Sequence, residues 1–306
     1  MSPAFPEHNH AGQPVIVSVL IVNYRAYAEL IACLDSLHRF AGDDLEVIVV
    51  DHSGVPSEAA RVSRMFPQIR LIAVVENLGF AAGVNRAARS ARGRYVLLLN
   101  PDCLLDGDVA RPLASWLDQH PHVGVCGALV RNSDGSVQAS ARRFPDVTTG
   151  FAGRTSWISR AWPQNRWTRR NLVAPEVPNA PLEVDWVSGA CMMVRRTAFE
   201  AVGGMDEQFF LYWEDADLCF RLKRGGWPTI YNPVVAVTHL TGRSSSRARR
   251  QSLIAFHRSA FRYFRKHGGL AARAASPVVY LALQTRLFLR LAVLALGSVF
   301  SDSGQK

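Results

Sequence analysis

Between Leu218 and Ser301 the chain has no Asp and no Glu, although the same span carries fourteen Lys and Arg. The whole chain has a net charge of +10, so the remainder is negative by four and the basic character belongs to the C-terminal third. Those cations lack carboxylate partners nearby in sequence, and their natural partner is an external anion. Nucleic acid does not fit that role, because neither zinc-finger spacing nor an aromatic RNP motif is present. Cysteine is sparse as well. Cys33, Cys103, Cys126, Cys191 and Cys219 are scattered, odd in number and without a CxxC pair. That pattern excludes paired structural zinc ligation and a disulfide framework, and points to buried thiols in a reducing, cytosolic setting. No cationic segment followed by an apolar one opens the chain. GxGxxG and Walker A motifs are both absent, which removes the main support for a nicotinamide enzyme or a P-loop NTPase.

The 306 residues are 48% hydrophobic with a mean hydropathy of +0.03, enough to bury one large core or two modest ones. Apolar runs at Val15–Val22, Leu45–Val50, Ile69–Val74 and Tyr95–Leu99 alternate with helical patterns at Ala28–Phe40 and Ala81–Ala91. Continuous β-branched runs separated by helices predict an α/β fold, a mainly parallel sheet with helices on both faces. Ligands in such sheets gather outside the carboxyl ends of the strands. Asn23 and Tyr24, Asp51, and Asn100 to Asp102 all fall there. The loop from Glu76 to Asn85 is rich in small residues and leads into a helix, which suits the approach of backbone N–H groups to an anion.

Two acidic places stand out. Leu97-Leu98-Leu99-Asn100-Pro101-Asp102 presents a carboxylate where a strand stops at a proline. Phe210-Leu211-Tyr212-Trp213-Glu214-Asp215-Ala216-Asp217-Leu218 crowds three acids where a short helix begins, one that ends at Gly225-Gly226. Acids in a first helical turn are favoured by the dipole, so capping is one reading of them. The other reading is chemical, with one carboxylate to hold a metal and another to take a proton. Glu214 and Asp215 point about 100° apart on a helix, so one of them faces any given substrate.

The ordered set Ser18-Val19-Leu20-Ile21-Val22-Asn23-Tyr24, Val49-Val50-Asp51, Asn77-Leu78-Gly79-Phe80-Ala81-Ala82-Gly83-Val84-Asn85, Leu98-Leu99-Asn100-Pro101-Asp102, Val187-Ser188-Gly189-Ala190, Gly203 to Phe210 and Glu214 to Leu218 resembles the inverting family 2 glycosyltransferases of GT-A fold, especially the bacterial rhamnosyltransferase-like branch. The resemblance covers roughly residues 14 to 245. It implies a nucleotide-diphosphate sugar donor and a divalent cation, Mg or Mn. Carried over by position, Asp51 would contact the nucleotide base and Asp102 would ligate the metal, with Asn23, Asn77, Gly79, Asn85 and Asn100 along the donor. Gly189 and Ala190 would lie close to the sugars. Asp215 would be the catalytic base, with Glu214 second. His239 would complete the metal or diphosphate site, and Arg243 would meet diphosphate oxygens, for which a guanidinium fork is suited. Asn100 stands where the family has its first acid, leaving the metal one fewer anionic ligand. His52 follows Asp51 where the family often has Asn, and reads as a solvent-facing loop residue. Trp186 and Trp213 suit sugar platforms or core packing equally.

The chain divides into a tail (1–13), the catalytic domain (14–245) and basic and apolar C-terminal helices (246–306). Within the last, Phe256, Ala260 and Phe264 share one helical face while Arg258, Arg262, Arg265 and Lys266 line another. Pro277 to Phe300 is largely apolar but interrupted by Arg286 and Arg290, a pattern of an interfacial helix on an anionic membrane. A core helix and a membrane span remain the other readings of that segment. The expectation is an enzyme peripheral to the inner, cytoplasmic face of the membrane, extending a polyprenyl-diphosphate-linked or cell-surface glycan. A non-catalytic nucleotide-sugar-binding or scaffold protein is the alternative, whose mark would be loss of Asp102 or Asp215. Both are present. The Arg131–Val184 stretch, with Arg154, Arg160, Arg166, Arg169, Arg170, Trp157, Trp162 and Trp167, reads as a loop-rich insertion.

Overall fold

The apolar runs become the middle of one sheet. The structure, a computed structural model, describes residues 15–40, 42, 44–145, 180–240 and 249–302. The first half follows the expected alternation: β1 (Val17–Asn23), α1 (Tyr27–His38), β2 (Leu45–Asp51), α2 (Pro56–Met65), β3 (Arg70–Ala73), α3 (Phe80–Ala88) and β4 (Tyr95–Leu99). Every residue of β1 and β4 is buried, which explains why these runs are apolar throughout rather than alternating. Each such Leu, Ile or Val contributes roughly 1.5–3 kcal/mol by leaving water. In α1 Leu30, Cys33, Leu34 and Leu37 form the inward stripe, the 3–4 residue spacing of an amphipathic helix. Pro56 opens α2 at its first turn, where a missing N–H is harmless.

The second half contains β5 (Cys103–Leu104), α4 (Ala110–Gln119), β6 (Val125–Arg131), β7 (Ala141–Arg142), β8 (Leu182–Val184), β9 (Trp186–Val187), β10 (Cys191–Arg195), α5 (Arg196–Ala201), α6 (Glu214–Arg224), β11 (Thr229–His239), α7 (Arg249–His267) and α8 (Gly269–Asp302). The strand order is β3-β2-β1-β4-β10-β6-β11-β5, with β8 on β11 and a separate β7–β9 pair. The first four strands pair in parallel, as expected, but the sheet as a whole is mixed. β10 runs antiparallel to both β4 and β6. Because it runs backwards, β10 starts at the carboxyl edge, and Cys191 pairs with Leu99. Gly189 and Ala190 are thereby delivered to the ligand edge from the opposite direction. β11 is parallel to β6 and carries a register shift between Asn232 and Ala236. Pro233, which has no N–H to give a ladder, sits in that irregularity.

The C-terminal helices pack on this body in a way the charge pattern did not anticipate. Asp217 in α6, fully buried, accepts from Arg221 at 2.7 Å, Lys266 at 2.6 Å and His267 at 2.7 Å. Lys266 also reaches Asp206 at 2.8 Å, and Arg262 and Lys266 stand over the Phe209 ring. Lys266 and Arg262 therefore tie α7 to the body instead of forming a lipid-facing row, Lys266 through acids from outside the basic block and Arg262 over the Phe209 ring. Ser259 donates to the Leu211 carbonyl at 2.9 Å, while Phe256 and Tyr263 pack against Trp213. α8 folds back on α7, with Phe261 and Tyr280 ring to ring, and leaves Val278, Leu281, Phe288, Leu289 and Val293 exposed. Its segment Ala272–Ala295 is long and apolar enough to cross a membrane by length and composition.

Burial opposes ionisation of Asp217, but the hydrogen bonds from His267 and Lys266 and the Arg221 charge outweigh it and hold its pKa at about 2. A depressed carboxyl stabilises the fold above its unfolded value and loses that contribution as pH falls toward 2. Asp217→Asn should lower stability by about 3 kcal/mol near neutrality, with the gap to the parent narrowing between pH 4 and pH 2. Melting temperatures across that range give the test; a constant gap would show that the charge is not the cause.

Candidate functional site

Asp51 ends β2 beside Asn23 at the end of β1. Its carboxylate is saturated: Oδ1 accepts from Asn23 Nδ2 at 2.9 Å, the Ser53 amide at 3.2 Å and Ser53 Oγ at 2.5 Å, and Oδ2 accepts from Tyr27 at 2.7 Å. Four donors fill the lone-pair positions of a carboxylate. Burial, then the bond to Asp51, push the Tyr27 hydroxyl up to about 12. This corner is a rigid polar floor built by Tyr27 and Ser53 as much as by the two expected residues. His52 is buried, not solvent-facing. Gly83 makes the room, since a Cβ there would meet His52 Cε1 at 3.1 Å. Burial lowers its pKa, so the ring is held neutral.

Asn77 caps its own turn by accepting from the Gly79 amide at 3.0 Å. Gly79, at φ +90°, starts α3, and the Phe80 amide donates to the Phe210 carbonyl at 2.8 Å. A Cβ on Gly79 would lie 2.4 Å from that carbonyl oxygen, so glycine is what lets the 206–213 loop close on α3. Asn85 completes the attachment. Its amide donates to the Met205 carbonyl at 2.8 Å and accepts from the Met205 amide at 2.9 Å, which commits it to the loop rather than to open space.

At the end of β4 the Asn100 amide donates to the Ala190 carbonyl at 3.0 Å. Asp102, buried, faces His239 at the end of β11, Oδ1 to Nε2 3.0 Å. Asn100 Nδ2 lies 3.3 Å from the same ring nitrogen. The other ring nitrogen, Nδ1, is 3.0 Å from Gln138 Oε1, and Gln138 Nε2 donates to Asn132 at 3.2 Å. His239 is thus held between Gln138 and Asp102, with Nε2 turned toward a carboxylate oxygen. An imidazole nitrogen and a carboxylate oxygen set side by side are both ligand atoms for a divalent cation. Among the described residues no three His, Cys, Asp or Glu cluster as a cage, so the pair fits a hard divalent ion whose remaining positions come from phosphate and water.

The third corner is the start of α6. Tyr212 (φ +67°) and Trp213 (φ +72°) are both left-handed, an uncommon state for bulky residues that the surroundings must impose. Trp213 does so through Phe256 and Tyr263; it is a packing residue, whereas Trp186 donates to the Arg143 carbonyl and lies under Arg142. Asp215 Oδ2 accepts from the Gly189 amide at 3.2 Å and Oδ1 from the Ala216 amide at 2.8 Å. Burial raises its pKa against those two donors and the Arg142 charge. Burial and the Asp215 charge push neighbouring Glu214 well above the usual carboxylate range. Burial thus raises both carboxyls of the pair, Glu214 with the Asp215 charge added to it, which separates the two environments. Gly189-Ala190 joins Asp215 on one side to Asn100 on the other. Arg243 and the insertion residues from Arg154 to Arg170 lie outside the described residues.

The profile of Glycosyl transferase family 2 matches residues 18–203. The chain belongs to this family. The glycosyltransferase is 31% identical over 270 residues to N-acetylglucosaminyl-diphospho-decaprenol L-rhamnosyltransferase of Mycobacterium tuberculosis, covering 83% of this chain and 86% of the relative. It is 28% identical over 159 residues to rhamnosyltransferase WbbL of Escherichia coli, 52% of this chain and 56% of that one. Its fold is similar to that of mannosyltransferase PcManGT from Pyrobaculum calidifontis, solved with GDP-Man and Mn2+ (TM-score 0.56, 20% identity, 95% of this chain and 81% of that one). GalNAc-T7, solved with UDP, GalNAc and Mn2+, is also similar (TM-score 0.54, 13% identity, 74% and 44%). The glycosyltransferase has a GT-A fold. Sequence patterns missed Gln138, Tyr27, Ser53 and Arg142. Only Arg142, next to Arg143 and before Phe144-Pro145, had a local signal, as a basic pair at a proline-ended strand.

Gly79→Ala should cost roughly 1–3 kcal/mol through positive φ and the clash with Phe210. It should also speed amide exchange over residues 209–215 more than over β1. Uniform exchange would break the link between Gly79 and the α6 loop.

Proposed function

We propose that this glycosyltransferase moves rhamnose, with inversion, from a nucleotide-diphosphate donor to a hydroxyl of a polyprenyl-diphosphate-linked glycan, working peripherally at the inner, cytoplasmic face of the membrane. The observation that carries the reading is the continuous connection Asp215–Gly189–Ala190–Asn100, which holds a proton-accepting carboxylate and the Asp102–His239 pair on one sheet edge. The choice of rhamnose is supported by the activities named for the two relatives, and that of a lipid-diphosphate acceptor by the name of the Mycobacterium tuberculosis one. The exposed apolar face of α8 supports a lipid-borne one.

Asn23, Asp51, Tyr27 and Ser53 form the floor for the nucleoside, and Asn77, Gly79 and Asn85 set the loop beside it. Arg243 is assigned to the diphosphate. Asp215, turned by Gly189 and Ala216, takes the proton of the acceptor hydroxyl as that oxygen attacks the anomeric carbon, opposite the leaving diphosphate. The bond from that carbon to the phosphate oxygen breaks as the new glycosidic bond forms, so one displacement inverts the centre. Asp102 and His239 would hold a Mg or Mn ion, with Asn100 alongside. When bound, such an ion neutralises charge that develops on the departing diphosphate. Gln138 fixes the imidazole so that Nε2 is presented.

Asp215→Asn should retain donor binding and lose transfer by at least about a hundredfold, with Glu214→Gln milder; a panel of dTDP-, UDP- and GDP-sugars with product analysis measures both and identifies the donor. Near-parental turnover of Asp215→Asn would remove it as base. Because burial raises the Asp215 pKa, activity should rise with pH through a limb above the ordinary carboxylate value. Arg142→Ala removes a charge favouring the ionised form and should move that limb to higher pH. A limb that stays put refutes the coupling. Chelator should abolish activity, and Gln138→Leu should weaken Mn2+ binding about tenfold, read by electron paramagnetic resonance of the free ion. Unchanged Mn2+ affinity in that variant would remove Gln138 from the site.

A further inference from the structure

The two tryptophans that suit a sugar platform are engaged elsewhere. Trp213 packs against Phe256 and Tyr263 of α7, and Trp186 donates to the Arg143 carbonyl under Arg142. The aromatic ring that comes to the Asp215 corner is Phe80, the first residue of α3. The point at which a Cβ of Gly189 would stand is 3.6 Å from Phe80 Cε1, 3.7 Å from Phe80 Cζ and 3.9 Å from Asp215 Cβ. Ring, glycine and acid therefore meet around one small space. Phe80 packs on the core beneath α3 yet is only half-buried.

Gly189 keeps that space open without being forced to. Its φ is not left-handed, and contacts of 3.6 to 3.9 Å are ordinary van der Waals distances. Neither backbone strain nor crowding calls for glycine here, in contrast to Gly79, where a Cβ would strike the Phe210 carbonyl. A side chain at Gly189 would instead fill the ground between the ring and Asp215, where the substrate of a base has to lie.

The displacement gives that ground a direction. The incoming hydroxyl and the departing diphosphate stand on opposite sides of the anomeric carbon, and Gly189–Ala190 separates Asp215 from the Asn100–Asp102 turn. Phe80 is at the Asp215 end, the end of the incoming hydroxyl. Outward from it an apolar strip continues. The Phe80 amide donates to the Phe210 carbonyl, the Phe210 ring lies against Gly79, and Phe210 and Leu78 are 45% and 43% exposed. Aromatic side chains beside a few convergent polar groups are the common lining of a ligand site.

We propose that Phe80 binds the acceptor sugar, one C–H face of which stacks on its ring, with Phe210 extending the platform toward solvent. A pyranose carries C–H groups on its faces and hydroxyls on its rim, so an aromatic ring beside a carboxylate fits both parts. Stacking holds the sugar, and the rim hydroxyl this leaves in reach of Asp215 is the one that loses its proton. That the ligand is an acceptor sugar rests on the transferase reading above; that Phe80 lines the space at Asp215 rests on the geometry.

The test uses the full chain, dTDP-rhamnose and N-acetylglucosaminyl diphosphate farnesol. Phe80→Leu keeps an apolar side chain and removes the ring. It should raise the acceptor KM about tenfold, while the donor KM, kcat at saturating acceptor and donor hydrolysis without acceptor stay within about twofold. Phe210→Leu, at an exposed position where folding is not at stake, should raise the acceptor KM about threefold. In proton NMR of the acceptor, hydrogens on one face of the N-acetylglucosamine should move upfield on binding to the parent and lose that shift with Phe80→Leu, a ring-current signature that a packing role does not produce. An acceptor KM unchanged in both variants overturns the platform. So does a rise confined to the donor KM or a fall in donor hydrolysis, which puts the ring under the donor sugar. Should Phe80→Leu fail to fold, Phe210→Leu decides by the same criteria. If the NMR shift depends on Phe80 while no sugar is transferred, the transferase reading fails alone; if transfer proceeds with equal acceptor KM in parent and variants, the platform fails alone.

Discussion

Two consecutive left-handed residues without the freedom of glycine, Tyr212 and Trp213, decide where α6 begins and which way its first acids point. Local sequence does not favour that state, and a helix from another part of the chain enforces it. The Trp213 ring lies against Phe256 and Tyr263, and Ser259 holds the Leu211 carbonyl. The Asp217 cluster then fixes α6 and α7 one turn further on. The strain of the turn is offset by burying a tryptophan and by joining the Asp217 carboxylate to Arg221, Lys266 and His267. α7 lies beyond the segment that the sequence marks as the catalytic domain, but its contacts make it part of the frame that aims Asp215.

The sheet edge is the second organising element, and it was largely legible. Continuous apolar strands ending in Asn23, Asp51 and Asn100–Asp102 announce themselves because both faces of the central strands are covered. The acids at the start of α6 were legible for the same local reason, a first turn with three carboxylates. What sequence could not give was direction. β10 enters antiparallel, a tertiary choice made by the path of the chain through residues 180–190, and periodicity is identical for a strand run either way. His52 illustrates the same limit at one residue. It is buried beside Gly83, thirty-one positions away, where a Cβ would crowd both Val22 and the His52 ring.

Side chains that act on other side chains were the least visible. Gln138 follows the Val137 bridge after β6 with no pattern around it, and its meaning comes from His239 and Asn132, which the fold brings to it. Asn85 could be read as a ligand-facing amide from its place in a glycine-rich stretch, but both edges of that amide go to Met205. The basic C-terminal block was visible as charge but misleading as surface, since its strongest cation partners, Asp206 and Asp217, lie just upstream of the acid-free span. An acid-free span limits which partners are nearby in sequence; it says nothing about partners across the fold.

The cysteines have a consequence of their own. All five are buried, and three of them, Cys33, Cys103 and Cys191, sit beneath the Asn100–Asp102 turn, where Cys33 and Cys103 lean on the Asn100 and Ala190 carbonyls. Burial pushes every one of the three thiols up, Cys191 to about 12. Peroxide and alkylating reagents attack the thiolate, a form these residues almost never adopt near neutral pH. The carboxyl edge of the sheet thus rests on sulfur that packs as hydrocarbon, with no thiol presented at the surface.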